Sequence, residues 1–318
     1  MSKGTPNSLC EALQNRQNLG EWLEWLRDSG SEAAINTRRF LNYAVDCLTI
    51  GEKQKFLKKI KRNKKTSSSD QIFETIFELV AHQFFKQFEI QCDYEPKIDG
   101  KTPDLTCQIS GIEYVIDVFV TYSPSKTVKN VGPGLISSLD TDKPDESRSK
   151  KIADKIEEKV KNYTVLKRPI LLFIGLGDNN ILSIDSIEQA LYGIHISEYL
   201  EKHHFPKDFH FEKRRGRCLL SPGLEPMHKE LSAVIVCDWF DTLNSHDRGK
   251  RLNSVVLHHF DPLQPLPPQV FSPFQDVCWK KTGERNWVPS TYSERNWVAK
   301  FTEANTFAFG RYTADEPW

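Results

Sequence analysis

Two aspartates, Asp104 and Asp117, stand on strand-like segments that a single short turn separates. The turn is Ser110-Gly111, and two residues ending in glycine are typical of a tight β-hairpin. In that hairpin Ile109 faces Ile112, and the same register brings Asp104 opposite Asp117. Side chains at opposed positions on one sheet face have Cβ atoms about 4.5–5.5 Å apart. The sequence therefore predicts two neighbouring carboxyl groups.

Opposed like charges destabilise a sheet, so this pair needs a compensating feature. The flanking apolar residues Val115, Ile116, Val118 and Phe119 predict partial desolvation. One carboxyl group then keeps its proton at neutral pH, or a divalent cation binds between the two. Oxygen ligands at this separation suit Mg²⁺ or Mn²⁺. The alternatives are a solvent-exposed pair at the end of a strand and a different register.

Two helices are predicted to flank the hairpin. The first runs from Asp70 to about Gln87, and its Glu74, Glu78 and His82 form a stripe beside an apolar stripe of phenylalanine and valine. The second runs from about Arg148 to Tyr163, and a buried strand over 169–176 follows it. On the second helix, Lys159 is in line with apolar residues, where a lysine is unusual unless it reaches water or an acidic partner.

This order of elements resembles the PD-(D/E)xK nuclease superfamily, which has the restriction-endonuclease-like fold. Pro103-Asp104 resembles its PD motif, Asp117-Val-Phe119 occupies the place of (D/E)xK, and Glu78 or Glu74 resembles the helix acid. The resemblance covers residues 70 to about 176. It implies that Glu78, Asp104 and Asp117 bind Mg²⁺ or Mn²⁺ and hydrolyse phosphodiester bonds. The later segments Lys159-Val-Lys-Asn-Tyr163, Arg168-Pro-Ile170 and Ala190-Leu-Tyr-Gly193 are similar in order to a bacterial branch of the superfamily.

The third motif departs from the superfamily at one position. Phe119 stands where the superfamily has a lysine, and a phenyl ring cannot polarise water. Either another lysine supplies the charge, or the site has weak or no catalytic activity. Lys159 is the best candidate, since Lys159-x3-Tyr163 resembles the Gln-x3-Tyr helix motif of RecB-type members. Lys101 is the second candidate, although strand alternation directs it to the opposite face of the sheet.

A basic run precedes these elements. Residues 52–65 contain eight lysines and arginines against one glutamate. One interpretation is a solvated helix face, and the other is a nucleic-acid-binding segment in which Lys58, Lys59, Lys61 and Arg62 contact phosphates. The chain as a whole has 43 basic and 43 acidic residues, so its net charge of zero excludes a histone-like protein.

The expected fold is a mixed α/β core of four or five strands flanked by helices. We predict a helical N-terminal extension over 1–66, the nuclease-like core over 67–200, and a C-terminal α+β addition over 201–318 that packs on the core. A short repeat, Glu284–Val288 and Glu294–Val298, indicates a hairpin or a local duplication. The seven cysteines are scattered, and we interpret all of them as structural, with Cys107 and Cys237 as reduced thiols in apolar strands.

No apolar run reaches the roughly 20 residues that cross a bilayer, and the N-terminus lacks an apolar signal core, so a cytoplasmic protein without membrane contact is expected. The leading hypothesis is a metal-dependent nuclease that acts on DNA, with a role in restriction or anti-phage defence suggested by the resemblance alone. The alternative is a catalytically degenerate nuclease-like fold that binds nucleic acid or assembles with proteins. The sequence leaves a homodimer or a partner protein open.

Overall fold

The computed structural model describes residues 9–14, 21–62, 69–121, 146–176, 228–238, 251–259 and 262–267, with short segments between 187 and 308. The helices are α1 (Leu9–Gln14), α2 (Glu21–Asp28), α3 (Glu32–Asp46), α4 (Ile50–Arg62), α5 (Ser69–Gln87) and α6 (Glu146–Tyr163). The strands are β1 (Cys92–Tyr94), β2 (Leu105–Ile109), β3 (Ile112–Thr121), β4 (Ile170–Leu176), β5 (Ile194–His195), β6 (Arg214–Arg215), β7 (Leu231–Asp238), β8 (Arg251–His258), β9 (Gln275–Val277), β10 (Trp279–Lys281), β11 (Trp287–Pro289) and β12 (Thr306–Ala308).

A mixed sheet is the centre of the fold. Its order is β1-β2-β3-β4-β7-β8-β12, and β9 pairs with β8 as an eighth strand. The pairs β3–β4 and β4–β7 are parallel, whereas β1–β2, β2–β3 and β7–β8 are antiparallel. The mixed α/β class is confirmed. The predicted four or five strands are too few, because β7 and β8 continue the sheet rather than form a separate layer.

The predicted hairpin forms with the predicted register. Ile109 pairs with Ile112 and Leu105 pairs with Ile116. Ser110 and Gly111 form the turn with φ values of +52° and +80°. Both turn positions of a type I′ hairpin require positive φ, which glycine adopts without steric cost.

Helices cover both faces of the sheet, and alternate residues of β3 belong to different apolar cores. Ile116 and Val118 join a core with α5 and the N-terminal helices. Phe119 joins the other core with Ile152 and Ile156 of α6. Asp117 is two residues from Phe119, so its side chain is on the α6 face of the sheet.

Gly175 in β4 is explained by packing. A Cβ atom at this position would lie 2.6 Å from the Phe77 ring, so α5 can approach the sheet only over a residue without a side chain. The ring of Phe77 also packs against Phe173, with their centroids 5.4 Å apart. This glycine is therefore required by the contact between α5 and β4.

The cysteine interpretation is wrong at one position. Cys107 of β2 is not a reduced thiol, because it forms a disulfide with Cys92 at the directly opposed position of β1. Directly opposed cysteines on antiparallel strands lie close enough for a disulfide, and this pair has a Cα–Cα distance of 4.2 Å. Cys237 is a buried thiol, as expected.

Several predictions fall on other parts of the chain. The second repeat copy, Glu294–Val298, is outside the described residues. Within the first copy, Trp287 begins β11, which pairs with β10 as a hairpin. The division into three domains stays a prediction. None of the described helices is both long and apolar enough to cross a membrane.

Candidate active site

Asp117 of β3 is the most buried carboxyl group of the site, with 2% of its side chain exposed. Its Oδ1 accepts hydrogen bonds from Lys159 Nζ at 3.1 Å and from the main-chain N–H of Val118 at 3.1 Å. Its Oδ2 is buried and accepts no hydrogen bond from the residues that the structure describes. Burial, followed by the contact with the carboxyl group and charge of Asp104, holds the pKa of Asp117 well above its usual range.

Asp104 lies just before β2, where its carboxyl group is close to residues on both faces of the sheet. Its Oδ2 accepts the main-chain N–H of Val118 at 2.8 Å, so Asp104 and Asp117 share one donor residue. The structure therefore brings the two predicted aspartates side by side.

Glu78 of α5 approaches Asp104 from the opposite face. The Tyr94 hydroxyl donates a hydrogen bond of 2.8 Å to Glu78 Oε2. Burial, followed by the negative charge of Asp104, raises the pKa of Glu78 to about 8. Glu74 does not join this group, because it forms an ion pair with Lys155 at 2.9 Å. Of the two helix acids that the sequence suggested, Glu78 is the one next to Asp104.

Lys59 of α4 also lies in this site, although the sequence suggested only a phosphate contact for it. Its Nζ is 2.9 and 2.8 Å from the two carboxylate oxygens of Glu78 and 2.8 Å from Glu95 Oε1. It is also 3.9 Å from Asp104 Oδ1. Burial opposes the charge of Lys59, but the carboxylates of Glu78 and Asp104 outweigh it and raise the pKa of the lysine.

Lys159 of α6 takes the position that the sequence proposed for a relocated lysine. Its ammonium group pairs with Asp117, and 26% of the side chain is exposed. Burial lowers the pKa of Lys159, but the charges of Asp117 and Asp104 more than offset this effect and raise it. Tyr163 lies one turn later on α6. Burial, followed by the negative charges of Asp117 and Asp104, raises the pKa of its hydroxyl group.

Phe119 follows Asp117 by two residues on β3 and is the position at which the sequence resemblance led us to expect a lysine. It is buried beneath α6, and the ammonium group of Lys155 lies 4.7 Å from the centre of its ring. A cation at this distance from an aromatic face is attracted to the ring. The charge nearest to Asp117 therefore comes from α6 and not from β3.

The basic run forms part of α4, and its residues have different surroundings. Lys58 is exposed, Lys61 is partly exposed, and the side chain of Arg62 is outside the described part. Lys59 is ion-paired with Glu78 and Glu95, so it is not a simple surface charge. Phosphate binding by these residues stays a prediction.

The donor chemistry of the site suits a divalent cation at Asp104 and Asp117. The buried Oδ2 of Asp117 has no hydrogen-bond partner in the described part of the chain, so it is an acceptor that a cation would satisfy, and carboxylate oxygens are ligands that Mg²⁺ and Mn²⁺ prefer. Among the described residues, no three histidine, cysteine or acidic side chains already have the spacing of a metal site. Glu78 is held by Lys59 and Tyr94, so it would have to shift to serve as a third ligand.

Sequence reasoning missed Tyr94, Glu95 and the position of Lys59 in the site. Each reaches the site through tertiary packing of α4 and β1 on α5, which has no local periodic signal.

No known protein family, no curated protein and no solved structure matches this chain.

Proposed function

We propose that the chain is a metal-dependent nuclease that hydrolyses phosphodiester bonds in DNA. The observation that carries this proposal is the buried pair of Asp104 and Asp117, with an unsatisfied carboxylate oxygen on one side and Lys159 on the other. Buried carboxyl groups with a raised pKa, such as that of Asp117, are concentrated at functional sites. The resemblance to PD-(D/E)xK nucleases gives the proposed reaction, and with it a role in restriction or anti-phage defence.

Asp104 and Asp117 would hold Mg²⁺ or Mn²⁺, with Glu78 as the candidate third ligand. When bound, such an ion lowers the pKa of water and stabilises negative charge on phosphate oxygens. The Val118 N–H fixes Asp104 by a hydrogen bond at 2.8 Å, and Lys159 fixes Asp117 at 3.1 Å. These contacts orient the carboxylates before substrate arrives, which is the preorganisation that catalysis requires.

Lys159 is proposed as the electrophilic cation of the reaction. It is the only described lysine paired with Asp117, and its partly exposed side chain is accessible from outside. An ammonium group in this position would stabilise the charge that develops on the phosphate. The exposed Lys58 on α4 would contribute a phosphate contact outside the site.

A cleavage assay with supercoiled plasmid, linear duplex and single-stranded DNA in Mg²⁺ or Mn²⁺ tests the proposal. Asp117→Ala should abolish both cleavage and Mn²⁺ binding, because it deletes a ligand. Asp154→Ala is the matched control, since Asp154 is an exposed aspartate on α6 and should cut like the wild type. Equal cleavage by Asp117→Ala and the wild type would refute the proposed nuclease site.

The second candidate is a degenerate nuclease-like fold that binds nucleic acid or assembles with a partner. The buried Phe119 at the motif position favours it, because β3 itself supplies no cation to the site. This function predicts DNA binding without cleavage under every metal condition. It also predicts that Asp117→Ala leaves DNA affinity unchanged, which a gel-shift titration measures.

A further inference from the structure

The ammonium group of Lys59 lies among three carboxylates, those of Glu78, Glu95 and Asp104. Lys59 Nζ lies within 2.9 Å of both Glu78 oxygens, 2.8 Å from Glu95 Oε1 and 3.9 Å from Asp104 Oδ1. Several carboxylate oxygens around one point are the surroundings that a divalent cation also selects. The lysine therefore lies where these oxygens would otherwise attract a metal ion.

The chain fixes this lysine from several sides. The buried residues Phe56, Leu57 and Ile60 anchor α4 in the core that contains α5. Lys55, one turn before Lys59, donates a hydrogen bond of 2.9 Å to the main-chain oxygen of Glu95. Glu95 has a φ of +46°, which side-chain-bearing residues seldom adopt, and its N–H donates to the Asp104 carbonyl oxygen at 2.9 Å. Neighbouring contacts thus hold Glu95 in the position from which it reaches Lys59.

The charges of the site have a simple balance. The carboxylates of Glu78, Glu95, Asp104 and Asp117 face the ammonium groups of two lysines, Lys59 and Lys159. If all six groups are ionised, four negative charges less two positive charges leave two negative charges. One divalent cation balances that remainder, whereas a second would leave the buried site with excess positive charge.

We propose that the Lys59 ammonium group is a built-in second cation, so that the chain binds one divalent cation at Asp104 and Asp117 and excludes another from Glu78 and Glu95. This inference deepens the proposed nuclease function and rests on it. In the reaction, Lys59 would act on Glu78, Glu95 and Asp104 as a positioning residue. It would fix the charge and orientation of the acidic group without itself contacting the phosphate.

The number of Mn²⁺ ions bound per chain, measured by isothermal titration calorimetry and by electron paramagnetic resonance of free Mn²⁺, tests this inference. The measurement is made on metal-stripped protein, with the wild type and every variant in the same buffer. The wild type should bind one Mn²⁺ and Lys59→Ala should bind two. Lys59→Ala combined with Glu78→Gln should return to one. Lys53→Ala is the matched control and should bind one, because Lys53 lies on the same helix and pairs with Asp46 rather than with an acidic residue of the site.

Other outcomes separate this inference from the function on which it rests. Two ions in the wild type, or one ion with unchanged affinity in Lys59→Ala, would overturn the role of Lys59. No Mn²⁺ in the wild type and one in Lys59→Ala, lost again with Glu78→Gln, would support that role and refute the proposed metal site at Asp117.

Asp117→Ala gives a second test that leaves Lys59 intact. With Lys59 in place, this variant should bind no Mn²⁺, whereas one remaining ion would show that Glu78 and Glu95 are open to metal. Circular dichroism checks that each variant is folded.

Discussion

Burial controls the chemistry of the carboxyl groups at the level of single residues. Asp117 and Glu78 are both buried next to Asp104, so their negative charges are costly and their pKa values are raised. Lys159 and Lys59 lower that cost from opposite faces of the sheet. The site therefore contains more acid than its lysines neutralise, which is the condition in which a bound cation stabilises the fold.

The raised pKa of Glu78 predicts how stability depends on pH. Glu78 has a pKa of about 8 in the folded chain and an ordinary value near 4.5 when unfolded. Between these values the folded state binds a proton that the unfolded state does not, so the free energy of unfolding decreases as pH rises. The slope from this group is at most about 1.4 kcal/mol per pH unit.

Urea unfolding of the wild type and Glu78→Gln between about pH 5 and pH 8 measures this effect. Glutamine keeps an acceptor for Tyr94 and does not titrate, so the variant should lose less stability over this range. Parallel stability curves for the two proteins would show that Glu78 ionises normally.

Lys159 and Lys155 offer a matched pair of lysines one turn apart on α6. Lys159 pairs with Asp117, whereas Lys155 pairs with Glu74 and covers Phe119. If Lys159 stabilises charge in the reaction, Lys159→Ala should reduce kcat about 10²–10³-fold and keep Mn²⁺ binding. Lys155→Ala should retain cleavage within a few-fold. Equal losses of cleavage activity in both variants would show that Lys159 has only a structural role.

The hairpin was the element that the sequence predicted best, and the reason is its local chemistry. The Ser110-Gly111 turn fixes the register of β2 and β3, and the register places Asp104 beside Asp117. Lys159 was found by helical periodicity on α6. The pairing of Cys92 with Cys107 was missed, because β1 has only three residues and no alternating pattern.

Phe119 belongs to the contact between β3 and α6, and this changes what a lysine there would do. By sequence alone, Phe119→Lys rebuilds the superfamily motif. In the structure the new ammonium group would lie among Ile152 and Ile156 and close to Lys155. We expect Phe119→Lys to lower the free energy of unfolding by about 3 kcal/mol, and Phe119→Leu by only about 1 kcal/mol. Denaturant unfolding of both variants tests this, and a fully stable Phe119→Lys would contradict the packing.

The disulfide fastens β1, the strand that carries Tyr94, to β2. Cys92 and Cys107 are 15 residues apart, and closing a loop of this length is worth about 3 kcal/mol in the chain-entropy description. Replacing both cysteines with alanine should lower the free energy of unfolding by about that amount. The control is Cys47→Ala, since Cys47 is in no disulfide and is partly exposed. A stability loss no greater than that of the control would show that the bond does not constrain the chain.

The whole molecule joins segments that the sequence suggested were separate. The N-terminal helices share a core with α5, and α4 contributes Lys59 to the site. β7 pairs with β4 although at least 54 residues separate them along the chain, and β8 extends the same sheet. Such contacts depend on which surfaces fit together in three dimensions. Hydrophobic periodicity and turn residues report only local structure, so they do not predict these contacts.

Removal of residues 201–318 tests how far the C-terminal segment is part of the core. Without β7 the parallel edge of β4 loses its partner, and the buried Leu171 and Phe173 lose cover from Ala233 and Ile235. An unpaired central strand exposes main-chain donors and apolar surface, so the 1–200 fragment should bind the dye ANS and unfold without a cooperative transition. Residues 201–318 supplied as a second chain should restore cooperativity in part. If the 1–200 fragment instead unfolds cooperatively at the midpoint of the full chain, the C-terminal segment is an independent addition.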